Sequence, residues 1–165
     1  NTMRLAPKLP SDWSTITYRN IAMGAHRVSL TVSESGNAQT ALFTNNTGAA
    51  VNAATILKIP PGRSPCSVTL NGSPISYAFD RQTGRVNLQT RALATGSLAT
   101  TELRVQHRAG HSGDFNQSGA ITVQDLFDFL AAYFAMDPTT DVNDSGTLSV
   151  QDLFDFLAIY FAGCA

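Results

Sequence analysis

Asp114-Phe-Asn-Gln-Ser-Gly-Ala-Ile-Thr-Val-Gln-Asp125 runs into Leu126-Phe-Asp-Phe-Leu-Ala-Ala-Tyr-Phe-Ala135. The same text returns as Asp141-Val-Asn-Asp-Ser-Gly-Thr-Leu-Ser-Val-Gln-Asp152, followed by Leu153-Phe-Asp-Phe-Leu-Ala-Ile-Tyr-Phe-Ala162. The copies lie 27 residues apart and agree at 16 of 22 positions, which marks an internal duplication. Each copy reads as a twelve-residue loop leading into a helix. The helices are expected over Asp125–Ala135 and Asp152–Ala162. Leu126, Phe129, Leu130, Tyr133 and Phe134 fall at helical spacing on one face, and Phe127, with Phe154 and Ile159 in the second copy, widens it. Such wide apolar faces exceed what two short helices bury on each other. The remainder meets either the rest of this chain or another protein.

The loops have the layout of a calcium site. Calcium takes six to eight oxygen ligands, and a twelve-residue loop supplies them from positions 1, 3, 5, 7, 9 and 12. In the first copy these are Asp114, Asn116, Ser118, the Ala120 carbonyl, Thr122 and Asp125; in the second, Asp141, Asn143, Ser145, the Thr147 carbonyl, Ser149 and Asp152. Gly119 and Gly146 occupy position 6, where the chain turns sharply. Ile121 and Leu148, at position 8, are expected to point into a core between the paired loops. Asp144, at position 4, is expected to point outward. The ligand set is lean, with Ser at position 5 and Asp at position 12, so each loop offers two ligating carboxylates. Two ions are expected, with dissociation constants on the order of 10⁻⁴ M. The competing reading is a pair of helix caps without metal, since Asp and Ser cap helices well.

At these residues the segment resembles a dockerin, the duplicated calcium-loop module of secreted bacterial proteins. It is most similar to the form with Val-Gln-Asp-Leu-Phe-Asp-Phe-Leu helices and a Gly-Cys end that is common among planctomycetes. The resemblance covers about a third of the chain. It implies calcium-dependent folding, a secreted or cell-surface location, and docking onto a partner, typically a cohesin-like protein, through a helix face. The residues at and beside loop positions 10 and 11 then become partner-binding candidates: Val123, Gln124 and Phe127, with Val150, Gln151 and Phe154.

The net charge of −1 hides an asymmetry. Residues 1–110 hold all 11 Lys and Arg against Asp12, Glu34, Asp80 and Glu102, giving +7. Residues 111–165 hold eight Asp and no base, giving −8. Two calcium ions would halve the latter, and the two parts attract within one molecule or between neighbours. The nine Arg are dispersed, which argues against a nucleic-acid partner. No run of 18 apolar residues suggests a membrane span. A start at Asn1 without a leader fits a processed secreted chain. Cys66 and Cys164 lack metal spacing. Paired, they would staple the end of the chain to its first part; two separate thiols are the alternative.

Upstream, the pattern is β. Met3 and Leu5 suit a short strand that Pro7 and Pro10 confine to an edge, with the option of adding to a neighbour's sheet. Trp13, Ile16 and Tyr18 suggest an early strand. His26–Ser33 alternates with Val28, Leu30 and Val32 inward. Strands are expected over 40–44, 51–59, 66–70, 74–79, 85–89 and 100–106. Turns are expected at Asn45–Gly48, Asn71-Gly72 and Asp80–Gly84. Seven or eight short strands argue for a sandwich. The run Phe43–Gly48, then Ile56–Gly62, then Gly96 resembles the Ig-like repeat domains of bacterial surface proteins, which implies a structural or adhesive role. The expected fold is thus a mainly β N-terminal Ig-like sandwich over 1–108, a linker over 109–113, and a small all-α C-terminal dockerin-like domain over 114–165.

Enzymatic chemistry finds no footing in the sequence. The sandwich has four acids and two histidines, His26 and His107, in no nucleophile–base or paired-carboxylate pattern, and there is no Gly-rich phosphate loop. Two binding classes remain. One is a calcium-ordered structural subunit of an extracellular assembly or filament that binds other copies of itself. The other is a docking module for a cohesin-like receptor, its sandwich a spacer or a carbohydrate binder with Trp13, Tyr18 and Tyr77 as candidate sugar-stacking residues. Asn45, in Asn45-Asn-Thr47, is the candidate glycan site.

Overall fold

The computed structural model describes residues 2–7, 9–10 and 12–164. Eleven strands form two sheets: β1 (Thr2–Leu5), β2 (Thr15–Met23), β3 (His26–Ser35), β4 (Ala38–Asn45), β5 (Asn52–Lys58), β6 (Arg63–Leu70), β7 (Ser73–Pro74), β8 (Tyr77–Asp80), β9 (Arg85–Leu88), β10 (Arg91–Ala92) and β11 (Ala99–Ala109). The larger sheet runs β2-β3-β4-β11-β6-β7. The smaller runs β1-β5-β9-β8, with β10 also on β5. Every strand pair is antiparallel except β1 with β5.

Alternation builds the sandwich. Val28, Leu30 and Val32 on β3, Phe43 on β4 and Leu103 and Val105 on β11 point inward from one sheet. They meet Met3, Ala53, Leu57, Val86 and Leu88 from the other in one core. Period-2 side chains allow this only in one register, so the hydrophobic pattern pins the ladder. The stretch expected as one strand over 74–79 is two. β7 pairs with β6 in the larger sheet, β8 pairs with β9 in the smaller, and the chain crosses between sheets at Ile75 and Ser76. The β strand expected to end near Gln106 continues to Ala109, so it takes the first residue of the expected linker.

The C-terminal part holds α1 (Val123–Phe134), a three-residue 3-10 turn (Pro138–Thr140) and α2 (Val150–Ala162). It is not a separate all-α domain, and that expectation is corrected here. Mainly β structure fills the molecule, and loop segments carry the C-terminal part onto the sandwich. The Val68 N–H donates to the Gly119 carbonyl (2.9 Å) and the Tyr77 N–H to the Gln117 carbonyl (3.1 Å). The Phe79 N–H donates to Gln117 Oε1 (3.0 Å). Loop 1 thereby takes up backbone donors of β6 and β8 beside the place where the chain passes from one sheet to the other. At the other end Arg108 donates to the Ile159 and Gly163 carbonyls, and Asn37 to the Cys164 carbonyl. Cys66 and Cys164 are bonded, 98 residues apart in sequence. Closing a loop of that size is worth about 4–5 kcal/mol in the chain-entropy account.

Sequence-identical glycines sit in unlike places. A Cβ on Gly119 would stand 2.4 Å from the Ile75 carbonyl oxygen and 2.5 Å from that of Val68, whereas one on Gly146 meets nothing within 4 Å. Both have positive φ. Gly146→Ala is expected to cost about 1 kcal/mol from backbone strain alone. Gly119→Ala is expected to cost about 3 kcal/mol or more, because backbone must move. Urea unfolding of the two variants checks this; equal losses would mean that loop 1 is not seated on the sheet.

Candidate metal loops

Asp114 organises the first loop. Its Oδ1 accepts from the Ser118 N–H and its Oδ2 from the Gly119 N–H, both at 2.9 Å. The Asn116 Oδ1 accepts from the Ser118 N–H at 3.0 Å. The Ser118 hydroxyl lies 3.1 Å from the Ala120 carbonyl oxygen and 3.4 Å from Asp114 Oδ1. Positions 1, 3, 5 and 7 thus turn their oxygens toward one another. Oxygens that share a cation at 2.3–2.6 Å lie roughly 3.4 Å apart when they subtend a right angle, so the spacing suits calcium. The second loop repeats the arrangement. Ser145 N–H donates to Asp141 Oδ1 at 2.9 Å, Gly146 N–H to Asp141 Oδ2 at 2.7 Å, and the Ser145 hydroxyl to the Thr147 carbonyl at 3.0 Å.

Positions 9 and 12 have a second task. Both helices start two residues before their expected beginnings, with Thr122 and Ser149 as N-caps in capping boxes. The Thr122 N–H donates to Asp125 Oδ2 (2.8 Å), and the Asn116 N–H to Asp125 Oδ1 (3.1 Å). The Ser149 N–H donates likewise to Asp152 Oδ2 (2.9 Å). The capping geometry is therefore present and fills Oδ2 of each carboxylate with two hydrogen bonds, which leaves lone-pair sites for a cation on Oδ1. Asp152 is fully buried, and its Oδ1 has no hydrogen-bond partner.

Charge makes the same point. Asp114, Asp125 and Asp152 are all buried. Among the described residues the one ion pair of a Lys or Arg runs from Arg81 to Asp144 (3.2 Å), a carboxylate that His111 also approaches at 3.5 Å and that is not one of the expected ligand positions. Buried carboxylates without a cation are costly, and paired or metal-bound ones are the rule. The donor set therefore fits calcium, with Asp114, Asn116, Ser118, Ala120 and Asp125, and their counterparts Asp141, Asn143, Ser145, Thr147 and Asp152, as holders. Among the described residues there is no group of three or more His, Cys, Asp or Glu that could hold a metal ion, so any cation here would depend on the amide, hydroxyl and carbonyl oxygens beside two carboxylates per loop.

Two contributors escaped the sequence reading. Asp128 accepts from Asn116 Nδ2 and Gln124 Nε2, each at 2.8 Å. Asp155 accepts from Asn143 Nδ2 (3.0 Å) and Gln151 Nε2 (2.8 Å). These bonds turn the amide oxygens of Asn116 and Asn143 toward their loops. Gln124 and Gln151, read as partner contacts, are thus also engaged in positioning. The available signal was the recurrence of Asp at the same offset in both copies, which read as ordinary helix surface.

The remaining candidates fall out as follows. Ile121 and Leu148 are half-buried and do not form the helix-pair core. That core is Phe129 stacked on Phe156, with centroids 3.8 Å apart and planes within 2°, edged by Phe115. Phe134 is 77% exposed rather than on the packed face, because eight residues past Leu126 is about 80° round a helix. Val123, Phe127, Val150 and Phe154 are exposed. Tyr77 is buried and cannot stack on a sugar, whereas Trp13 and Tyr18 remain at the surface. Asn45 is buried, with Nδ2 donating to the Ala49 (2.7 Å) and Ala94 (3.1 Å) carbonyls, which closes it to a glycan in the folded chain. No helix is long and apolar enough to cross a membrane among the described residues. Comparison with protein-family models, with curated proteins and with solved structures found no match.

Burial pushes the Asp114 carboxyl from its ordinary 3.8 up to about 6, the nearby Asp125 adding to the rise while the Gly119 N–H opposes it. Tyr77 beside it is raised, first by burial and then by the Asp114 charge. The metal-free fold therefore holds a proton at Asp114 more tightly than the unfolded chain does. Its contribution to stability is complete below pH 3.8 and is lost as pH rises through 6. A cation in this loop would have to displace that proton, so calcium binding is expected to strengthen from pH 5 to 7. A ¹³C titration of the Asp114 carboxyl is expected to give a midpoint near 6 without metal and one below 4 in millimolar calcium. A midpoint near 6 that calcium leaves unchanged would remove the metal from this loop.

Proposed function

We propose that the protein is a non-enzymatic structural subunit of an extracellular assembly, with a dockerin-like pair of loop–helix repeats ordered by calcium. The observation that carries this reading is a duplicated apolar stripe. Val123, Phe127, Ala131 and Phe134 lie exposed at i, i+4, i+8 and i+11 on α1, and Val150, Phe154, Ala158 and Phe161 repeat them on α2. The inner faces of the helices are already satisfied by the Phe129–Phe156 stack and its neighbours, so these outer stripes have no partner within the described residues. Exposed apolar surface of this extent is typical of a contact site.

Calcium has a definite role in this reading. It neutralises the buried carboxylates of each loop and fixes the direction in which each helix leaves its cap. The stripes are thereby held at a set spacing. The Cys66–Cys164 bond supports an oxidising, extracellular setting. The basic sandwich, whose only carboxylate-paired Arg among the described residues is Arg81, offers a complementary surface for the acidic repeats of another copy. A foreign cohesin-like receptor is the second reading, favoured by the near identity of the two stripes, since either could dock in the same pocket.

Light scattering of the purified chain separates these. Large species in millimolar calcium that dissociate on chelation are expected, and the Phe127→Asp/Phe154→Asp variant should raise the concentration for association at least tenfold without loss of helicity. A monomer with and without calcium would sink the self-assembly reading and leave the receptor. A companion variant, Asp114→Ala/Asp141→Ala, should lose the calcium response of its far-UV helix signal; an unchanged response would remove calcium from the proposal.

A further inference from the structure

We propose that β1 is exchanged between copies, so that Thr2–Leu5 of one molecule completes the β5 edge of the next. The inference rests on the assembly reading above and names its joint. β1 pairs in parallel with β5, Thr2 opposite Asn52, Met3 opposite Ala53, Arg4 opposite Ala54 and Leu5 opposite Thr55. Among the described residues β5 is its one strand partner. Parallel pairing is slightly less stable per residue than the antiparallel pairing found everywhere else in the sandwich. Yet β1 has a real core function, because Met3 is buried and Leu5 packs against the same cluster. The edge needs a strand there, and nothing in the pairing requires that it come from the same chain.

The connection to the body permits the exchange. The described residues between Leu5 and Thr15 carry no strand, and β1 and β2 belong to different sheets. Among the described residues of this connection the one backbone hydrogen bond of its own is Trp13 N–H to the Pro10 carbonyl (3.1 Å). Pro7 lacks an N–H and lies two residues past Leu5, where the ladder ends, and among the described residues Ile56–Lys58 has no strand partner on this side of β5.

Every copy carries both the donor strand and the acceptor edge, so exchange keeps every native contact and adds only the requirement that two copies meet. The opposite charges of the sandwich and the C-terminal repeats favour that meeting. The donor and acceptor are different surfaces. The contact is therefore head-to-tail and generates an open chain unless its rotation closes. Strand addition at an edge supplies backbone bonds for affinity and side-chain pockets, here those of Met3 and Leu5, for register.

The test uses the full chain carrying Arg4→Cys/Ala54→Cys, two outward positions that face each other across the ladder. Equal amounts of unlabelled and ¹⁵N-labelled protein are refolded together in calcium and oxidised, and peptides linked between positions 4 and 54 are read by mass spectrometry. Exchange predicts that about half of the linked peptides pair a light with a heavy half, and that a non-reducing gel shows a ladder. Links confined to light–light and heavy–heavy peptides, or no link at all, would overturn the proposal. Thr2→Cys/Asn52→Cys, at the start of the same register, repeats the measurement if the first variant does not fold. Light scattering of the same samples keeps the two ideas apart: large particles with only within-copy links leave the assembly reading standing and remove strand exchange, whereas a monomer removes both.

Discussion

Gly119 is where the two halves of this molecule become one. Its carbonyl accepts from Val68, its N–H donates to Asp114, and its missing side chain lets the Ile75 and Val68 carbonyls approach to distances no Cβ would tolerate. One residue therefore belongs to the sandwich backbone and to the turn around Asp114 together. Asp114 cannot change its environment without moving the segment between β7 and β8, and that segment is the point at which the chain passes from one sheet to the other. The second loop has no such anchor. Its Gly146 is open, and its tie to the sandwich is the exposed Arg81–Asp144 pair, of a kind that contributes little.

The difference between the loops follows from few residues. At position 4 the first copy has Gln117, whose carbonyl and side-chain oxygen both accept from the β8 backbone. The second has Asp144, which turns out to solvent and meets Arg81 and His111. Burial and the Arg81 charge both hold His111 below its ordinary value, so its contact with Asp144 is chiefly that of a neutral ring. A duplication that keeps its ligand positions has thus been made asymmetric by its surroundings. The first repeat is seated on the sandwich through its loop, and the second is held at its far end, where Arg108 and the Cys66–Cys164 bond take the end of α2.

The unmet requirements of the structure point outward in the same way. The helices bury one aromatic ring each at full depth, Phe129 and Phe156, and leave Phe134 and Phe161 more than three-quarters exposed. The sandwich closes its core with a strand held by a single neighbour. The acidic repeats hold buried carboxylates and no basic residue. Each is a demand that a cation or another surface would meet, and a protein built to act alone has little reason to combine them.

Much of this was legible in the sequence. The duplication, the loop positions, the inward residues of β3 and the hairpin at Asn71-Gly72 all follow from spacing, because a repeat, a turn and a period-2 pattern are local properties. Cys66 and Cys164 could be suspected as a pair but not joined, since nothing local brings residues 98 apart to bonding distance. The division of residues 73–80 between two sheets was not legible, because a strand run with one interruption looks the same whether or not it changes partners. Nor was the attachment of loop 1. Its glycine is the same letter as the glycine of loop 2, and only the close approach of the Ile75 and Val68 backbone distinguishes them. Asn45 reads as a sequon in a surface turn, whereas the fold uses its amide to tie the Ala49 and Ala94 carbonyls together. By itself the sequence determined the repeated loops, the charge division and the β pattern, each set by residue type at short range. Tertiary structure alone decided that the C-terminal part is joined to the sandwich instead of forming a domain of its own, because that depends on which unmatched backbone donors of one segment face the carbonyls of another.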